Sequence, residues 1–180
     1  MKTIMSFGAS NSSVSINQKL ATYVSSKLTH HNVQLLTLTD YDIPMYSADL
    51  EKAKGIPADV RILYSTLELA DALVVSVAEH NGNWAAFFKN IIDWLSRINV
   101  AFLEGKKILL LSASPGARGG ASSLAIATQS FPVFKGEVVA TYSLGKFYDR
   151  FEADTLTDAD TKAALDTAIH TFLDSLQAID

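Results

Sequence analysis

Ser10, Ser12 and Ser15 place three hydroxyls within six residues of the stretch Gly8-Ala9-Ser10-Asn11-Ser12-Ser13-Val14-Ser15-Ile16-Asn17. Together with the Asn17 amide and the unpaired N–H groups that open a following helix, they compose a nest for a phosphate, favoured by the helix dipole. The stretch contains no Gly-Lys-Ser/Thr and no Gly-x-Gly-x-x-Gly, which speaks against a nucleoside-triphosphatase loop and against the dinucleotide fingerprint. Serine is also an ordinary helix cap, and for Ser15 that plainer role has equal standing. A second polar segment, Ala78-Glu79-His80-Asn81-Gly82-Asn83, offers amides and carbonyls to the edge of a flat heterocycle, and Gly82 permits close approach of the backbone. As a plain turn it would be unremarkable, since Asn-Gly is a common turn pair and Glu79 can simply be solvated. A third, Ser112-Ala113-Ser114-Pro115-Gly116-Ala117-Arg118-Gly119-Gly120, has three glycines in five positions. Such a segment either lets main chain pass close to a ligand or merely connects a strand to a helix.

The elements that must position these segments read as alternating strands and helices. Strand-like runs occupy Thr3–Phe7, Val33–Leu38, Ala72–Val77, Lys107–Leu111 and Glu137–Tyr142. Between them, Ile16, Leu20, Val24 and Leu28 recur about once per helical turn, as do Trp84, Phe88, Ile91, Leu95 and Ile98. The run Ala72–Val77 is apolar nearly throughout, as expected of a central strand covered on both faces. A last helix is expected from about Asp158, where Thr157-Asp158-Ala159-Asp160 supplies a cap and an acidic first turn. Residues 39–55 read as a surface loop beside the site. Five βα units without antiparallel hairpins imply a doubly wound, three-layer α/β/α domain over residues 1–180, with a parallel sheet in the order 2-1-3-4-5 and right-handed crossovers. In that order strands one, three and four are neighbours. The three polar segments are the loops that follow just those strands, which places the site at the carboxyl ends of the sheet.

The 180 residues are 48% hydrophobic and 19% charged, with net charge −4 and no run of Lys and Arg, so nucleic acid is not an expected partner. The absence of cysteine removes thiolate nucleophiles and cysteine-ligated metals, and no metal site is expected. No apolar run approaches the ~20 residues of a membrane span, and a soluble, cytoplasmic protein is expected. Of the four histidines only His80 lies near the expected site, where it either donates to a ligand or has no duty; His30-His31 reads as a helix C-terminal cap.

Taken jointly, the three loops and the run Phe88-Lys89-Asn90-Ile91-Ile92-Asp93-Trp94-Leu95-Ser96-Arg97 resemble the NADPH-dependent FMN reductase family. The resemblance implies a flavodoxin-like fold, noncovalent FMN, NADPH or NADH as electron donor, a small-molecule electron acceptor such as a quinone, free flavin, azo or nitro compound, and a homodimer or homotetramer. Carried over, Ser10, Ser15, Ile16 and Asn17 hold the FMN phosphate, with Ser12 beside them. Glu79, His80, Asn81 and Gly82 border the isoalloxazine ring after Ala78, and Ser114, Pro115, Gly116, Gly119 and Gly120 belong to the segment that closes its other side. Ser12 stands where many members have Arg, and Ala78 and His80 replace Pro and Tyr. Because a bound flavin carries the chemistry, no catalytic side chain is nominated. A flavodoxin-type electron carrier and a noncatalytic ligand-binding module on the same fold are the alternatives. Projected at about 100° per residue, the apolar residues around Trp94 cover an arc of about 160°, wider than sheet packing needs, which points to a subunit contact through Trp94. Lys89, Asp93 and Arg97 lie opposite, for pairing with one another or across a subunit contact.

Overall fold

In the computed structural model, which describes residues 1–177, the expected sheet is present. The sheet strands are β1 (Thr3–Ala9), β2 (Asn32–Leu35), β3 (Ala72–Val77), β4 (Lys107–Ala113) and β5 (Glu137–Leu144). They lie in the order β2-β1-β3-β4-β5, and every neighbouring pair is parallel. The helices are α1 (Ile16–Ser25), α2 (Ala48–Lys54), α3 (Ala58–Glu68), α4 (Ala86–Ile98), α5 (Ala121–Ser130), the single turn α6 (Phe147–Arg150) and α7 (Ala159–Gln177).

Alternation along the buried strands divides the core in two, because successive side chains of a strand point to opposite faces. Met5, Leu73, Val75 and Leu110 face α3, α4 and α5, whose Leu63, Ile91 and Leu124 belong to the same cluster. Ile4, Val74, Leu109 and Leu111 face α1 and α7, represented by Leu20, Val24, Leu165 and Phe172. A strand that fills both layers has to be apolar throughout, which accounts for the run in β3. At the start of α7, Asp158 Oδ1 accepts from the Thr161 N–H at 2.7 Å, the cap expected from the sequence. That bonding to Thr161 holds the Asp158 carboxyl below its ordinary pKa.

Several expectations need correction, among them the reading of His30-His31 as a helix cap, since α1 ends at Ser25 with Ser26 as its cap. The edge strand stops at Leu35, after which Leu38 turns into the core at the start of a single 3-10 turn. Two antiparallel hairpins do occur: Glu79–His80 pairs with Asn83–Trp84, and Phe151–Glu152 pairs with Thr155–Leu156. The first turns at Asn81 and Gly82, both at positive φ (54° and 76°), the conformation that Asn-Gly favours in two-residue hairpin loops. Finally, residues 39–55 are partly helical: Ser47 Oγ caps α2 by accepting from the Leu50 N–H at 3.1 Å, and Gly55 ends it at φ 72°.

The broad apolar arc of α4 is covered within the chain. Trp94 is fully buried, donates from Nε1 to the Pro44 carbonyl at 2.7 Å, and meets the Tyr46 ring edge-on at 5.0 Å. Asn90 accepts from the Tyr46 N–H at 2.7 Å and donates to the Pro44 carbonyl at 3.0 Å. Lys89 pairs with Asp93 at 2.6 Å, while Arg97 reaches Glu51 of α2 at 3.0 Å. The segment after β2 therefore occupies the Trp94 face that the amphipathic pattern alone assigns to a second subunit.

Candidate functional site

The loops after β1, β3 and β4 converge on a cleft of about 230 Å³ at the carboxyl end of the sheet. Its wall includes Ser10, Ser12, Ser15, Ile16 and Asn17 from the first loop, Ala78, Glu79 and His80 from the second, and Ser114 and Pro115 from the third. Asn81, Gly82, Gly116, Gly119 and Gly120 lie outside that wall. Three further residues complete it: Val14, Ala113 and Tyr148. Val14 and Ala113 sit inside segments already singled out, whereas nothing in the sequence marks Tyr148. It arrives because α6 folds back over the third loop, with the Lys146 N–H donating to the Gly116 carbonyl at 2.9 Å and the Phe147 N–H to the Ser114 carbonyl at 3.1 Å.

The serine loop is held by its own hydroxyls. Ser10 Oγ accepts from the Ser12 N–H at 3.2 Å, Ser12 Oγ from the Val14 N–H at 3.3 Å, and Ser15 Oγ from the Gln18 N–H at 3.2 Å. Ser15 thus is the N-cap of α1, as the plainer reading has it. Each hydroxyl serves as an acceptor here, and its O–H proton remains uncommitted. The N–H groups of Ile16 and Asn17 precede the first intrahelical bond, from the Lys19 N–H to the Ser15 carbonyl. Hydroxyl protons and open N–H groups at a helix N-terminus form a donor set that suits a phosphate. The residues present fit the phosphate of FMN on that chemistry, with no lysine or arginine in the cleft wall.

The Asn17 side chain is also engaged within the fold. Its Oδ1 accepts from Ser76 Oγ at 2.8 Å and from the Ala113 N–H at 2.9 Å, and its Nδ2 donates to the Ala113 carbonyl at 3.2 Å. The side chain rivets α1 to the ends of β3 and β4, and a second Nδ2 hydrogen remains beside the backbone N–H.

Glu79 is likewise occupied. Its Oε2 accepts from the N–H groups of Ser122 and Ser123 at 2.8 and 3.1 Å, capping α5, and Oε1 stands 3.7 Å from the Arg118 guanidinium. This anchors the hairpin that presents His80, which is exposed. In the third loop, Ser112 Oγ donates to the Gly119 carbonyl at 2.7 Å, and Ser143 Oγ donates to the Arg118 carbonyl at 3.0 Å. Gly119, at φ 62°, lies so near the β5–α6 connection that a Cβ there would come within 2.7 Å of the Gly145 nitrogen. Gly119 and Gly120 thus serve tight packing of loop on loop, and the segment is stitched in place where the sequence suggests flexibility. Among the described residues no group of His, Asp and Glu side chains has the arrangement of a metal site, and no helix is long and apolar enough to cross a membrane.

Comparison with known proteins agrees with this geometry. The sequence profile of NADPH-dependent FMN reductases matches residues 2–149. A quinone reductase of Escherichia coli is 41% identical over 80 residues, which is 44% of this chain and 43% of that protein, so the match spans less than half the length of this curated relative. FerB of Paracoccus denitrificans, a flavoenzyme NAD(P)H:(acceptor) oxidoreductase, superposes with a TM-score of 0.76 at 26% identity over 97% of this chain and 96% of its own. An oxidoreductase of Corynebacterium diphtheriae shares the fold, with a TM-score of 0.77 at 18% identity over 100% of this chain and 99% of its own.

Proposed function

Because the chain belongs to the NADPH-dependent FMN reductase family, we propose that it is a cytoplasmic oxidoreductase, a single FMN-binding domain over residues 1–180 that uses NADPH or NADH to reduce small acceptors such as quinones, free flavin, azo or nitro compounds. The observation that carries this reading is the serine loop: three hydroxyls whose oxygens are satisfied locally and whose protons are free, beside the open N–H groups of α1. FMN bound there would supply the hydride-level, two-electron chemistry between NADPH or NADH and the acceptor, for which ping-pong turnover is the proposed order.

The chain's own contribution is binding and orientation. Ser10, Ser12 and Ser15, with the N–H groups of Ile16 and Asn17, anchor the phosphate. Ala78–His80 and Ser114–Pro115 line the cleft and would border the flat ring of the flavin. Glu79, held by α5, fixes the first wall, and the stitching of the third loop to α6 fixes the second. Rigid walls reduce the ordering left to do when two rings are brought face to face. Val14 and Tyr148, large apolar side chains exposed at the rim, give an aromatic acceptor a surface to rest on. Their exposure also favours a homodimer or homotetramer in which a second subunit covers the rim.

The test is the absorbance spectrum of the purified protein after incubation with FMN and desalting, followed anaerobically by NADH and NADPH in separate cuvettes. Retained flavin that bleaches with at least one nucleotide is expected. Flavin retained without bleaching would instead identify an electron carrier, and loss of all flavin on desalting would remove the proposed function.

A further inference from the structure

The wall of the cleft carries one carboxylate, Glu79, and no lysine or arginine, in a chain of net charge −4. A cation nevertheless stands against that wall: Arg118, in the loop between β4 and α5. Its main chain is fixed twice through its carbonyl, which accepts from the Ala121 N–H at 3.0 Å and from Ser143 Oγ at 3.0 Å. Its side chain is far less committed. The guanidinium is exposed, at 76%, and among the described residues it makes a single hydrogen bond, a long one from Nη2 to Ser122 Oγ at 3.4 Å. Its ion-pair partner is Glu79, whose Oε1 lies at 3.7 Å, beyond hydrogen-bonding distance, and whose Oε2 already accepts from the N–H groups of Ser122 and Ser123. So loose and exposed a pair adds little to stability. Most of the five N–H donors of the guanidinium fork are therefore open to a ligand.

We infer that Arg118 is a specificity-determining residue, favouring substrates that bring an anionic substituent to the Ala78–His80 side of the cleft: the 2′-phosphate of the electron donor, or a carboxylate or sulfonate on the acceptor. The inference rests on the proposed flavin site, since donor and acceptor enter the cleft to meet the ring. Glu79 belongs to the cleft wall, so its contact with Arg118 places the fork beside the segment that would border that ring. A planar fork with open donors pairs with phosphate, carboxylate and sulfonate oxygens two at a time, and arginine is a recurrent partner of the 2′-phosphate in dinucleotide sites. The net negative charge of the chain disfavours anions in general, which makes a local cation at the cleft decisive for those that do bind. Because the guanidinium is hydrated, its attraction is strongest at low ionic strength and is screened by salt.

The experiment takes the flavin-loaded wild type, Arg118→Gln and Arg118→Lys through two pairs of ligands, each pair differing by one anionic group. NADP+ and NAD+ are titrated by calorimetry, and kcat/KM is measured for a naphthoquinone sulfonate and for the unsubstituted naphthoquinone with NADH as donor. The wild type is expected to prefer the anionic member of at least one pair at low salt. Arg118→Gln should reduce that preference about fivefold or more, Arg118→Lys should keep part of it, and added salt should erode it in the wild type. A loss confined to the nucleotides assigns the 2′-phosphate, a loss confined to the quinones assigns the acceptor's anion, and either supports the inference. No preference in the wild type, no change in Arg118→Gln, or an equal change for both members of each pair would overturn it and leave the flavin site standing. A wild type that retains no FMN after desalting removes the proposed function and this inference together.

Discussion

The side-chain amide of Asn17 accepts from Ser76 and from the Ala113 N–H while donating to the Ala113 carbonyl, and it does so buried between a helix and two strand ends. Ser12, five residues earlier, is exposed and commits only its oxygen. Both residues belong to the same candidate phosphate loop, yet substitution separates their roles. Asn17→Ala leaves several buried polar groups unpaired and is expected to cost about 2–4 kcal/mol of folding stability, read as a lowered urea midpoint. Ser12→Ala should leave that midpoint nearly unchanged and weaken FMN by about 0.5–1.5 kcal/mol, a factor of up to about ten, read by fluorescence titration. Equal effects of the two substitutions on unfolding would contradict this division. The amide-bearing side chain announces polarity in the sequence, but its partners are 59 and 96 residues away and appear only when the sheet is assembled.

At the scale of elements, the loop between β4 and α5 shows how one residue type serves two purposes. Gly119 needs its positive φ and has no room for a Cβ beside Gly145, whereas a Cβ at Gly116 would meet only Ser114 Oγ, at 3.8 Å. Gly119→Ala is therefore expected to destabilise by about 2 kcal/mol or more, and Gly116→Ala to be tolerated within about 0.5 kcal/mol, measured by thermal or urea unfolding. The same contrast between pattern and packing explains α4. Its Trp94 and Asn90 belong to the run that, with the three loops, carries the family resemblance, and in the structure both grip the backbone of residues 43–46, so their first duty is to hold the connection from β2 against the helix. Hydrophobic periodicity identifies an apolar face correctly but is silent on what covers it. A chain segment with no clear periodicity of its own, such as residues 41–46, is invisible to that signal even when it is the covering partner.

Across the whole molecule the candidate site lies at the carboxyl end of the sheet, and the opposite end holds a buried lysine. Lys106 precedes β4 and donates from Nζ to the Ala70 carbonyl at 2.8 Å. Burial lowers its pKa, with the charges of Glu68 and Asp71 opposing the shift in part. Because the folded value lies below the unfolded one, the desolvation penalty is felt in full at pH below the folded pKa. It is relieved as pH rises through that value toward the ordinary lysine range. The stability of the wild type relative to Lys106→Met should accordingly increase from neutral to alkaline pH, checked by urea unfolding across a pH series; a constant difference would show that Lys106 does not titrate differently in the two states. Sequence by itself determined the α/β class, the five parallel strands in their order, the cap at Asp158 and the convergence of three loops on one end of the sheet. All of these follow from local periodicity, turn chemistry and the handedness of βα crossovers. Only the tertiary structure decided that Asn17 and Glu79 are anchors, that Tyr148 joins the cleft, and that residues 44–46 cover Trp94. Each of those depends on contacts between segments far apart in the chain, and the type of a residue does not encode the partner that a distant segment will bring to it.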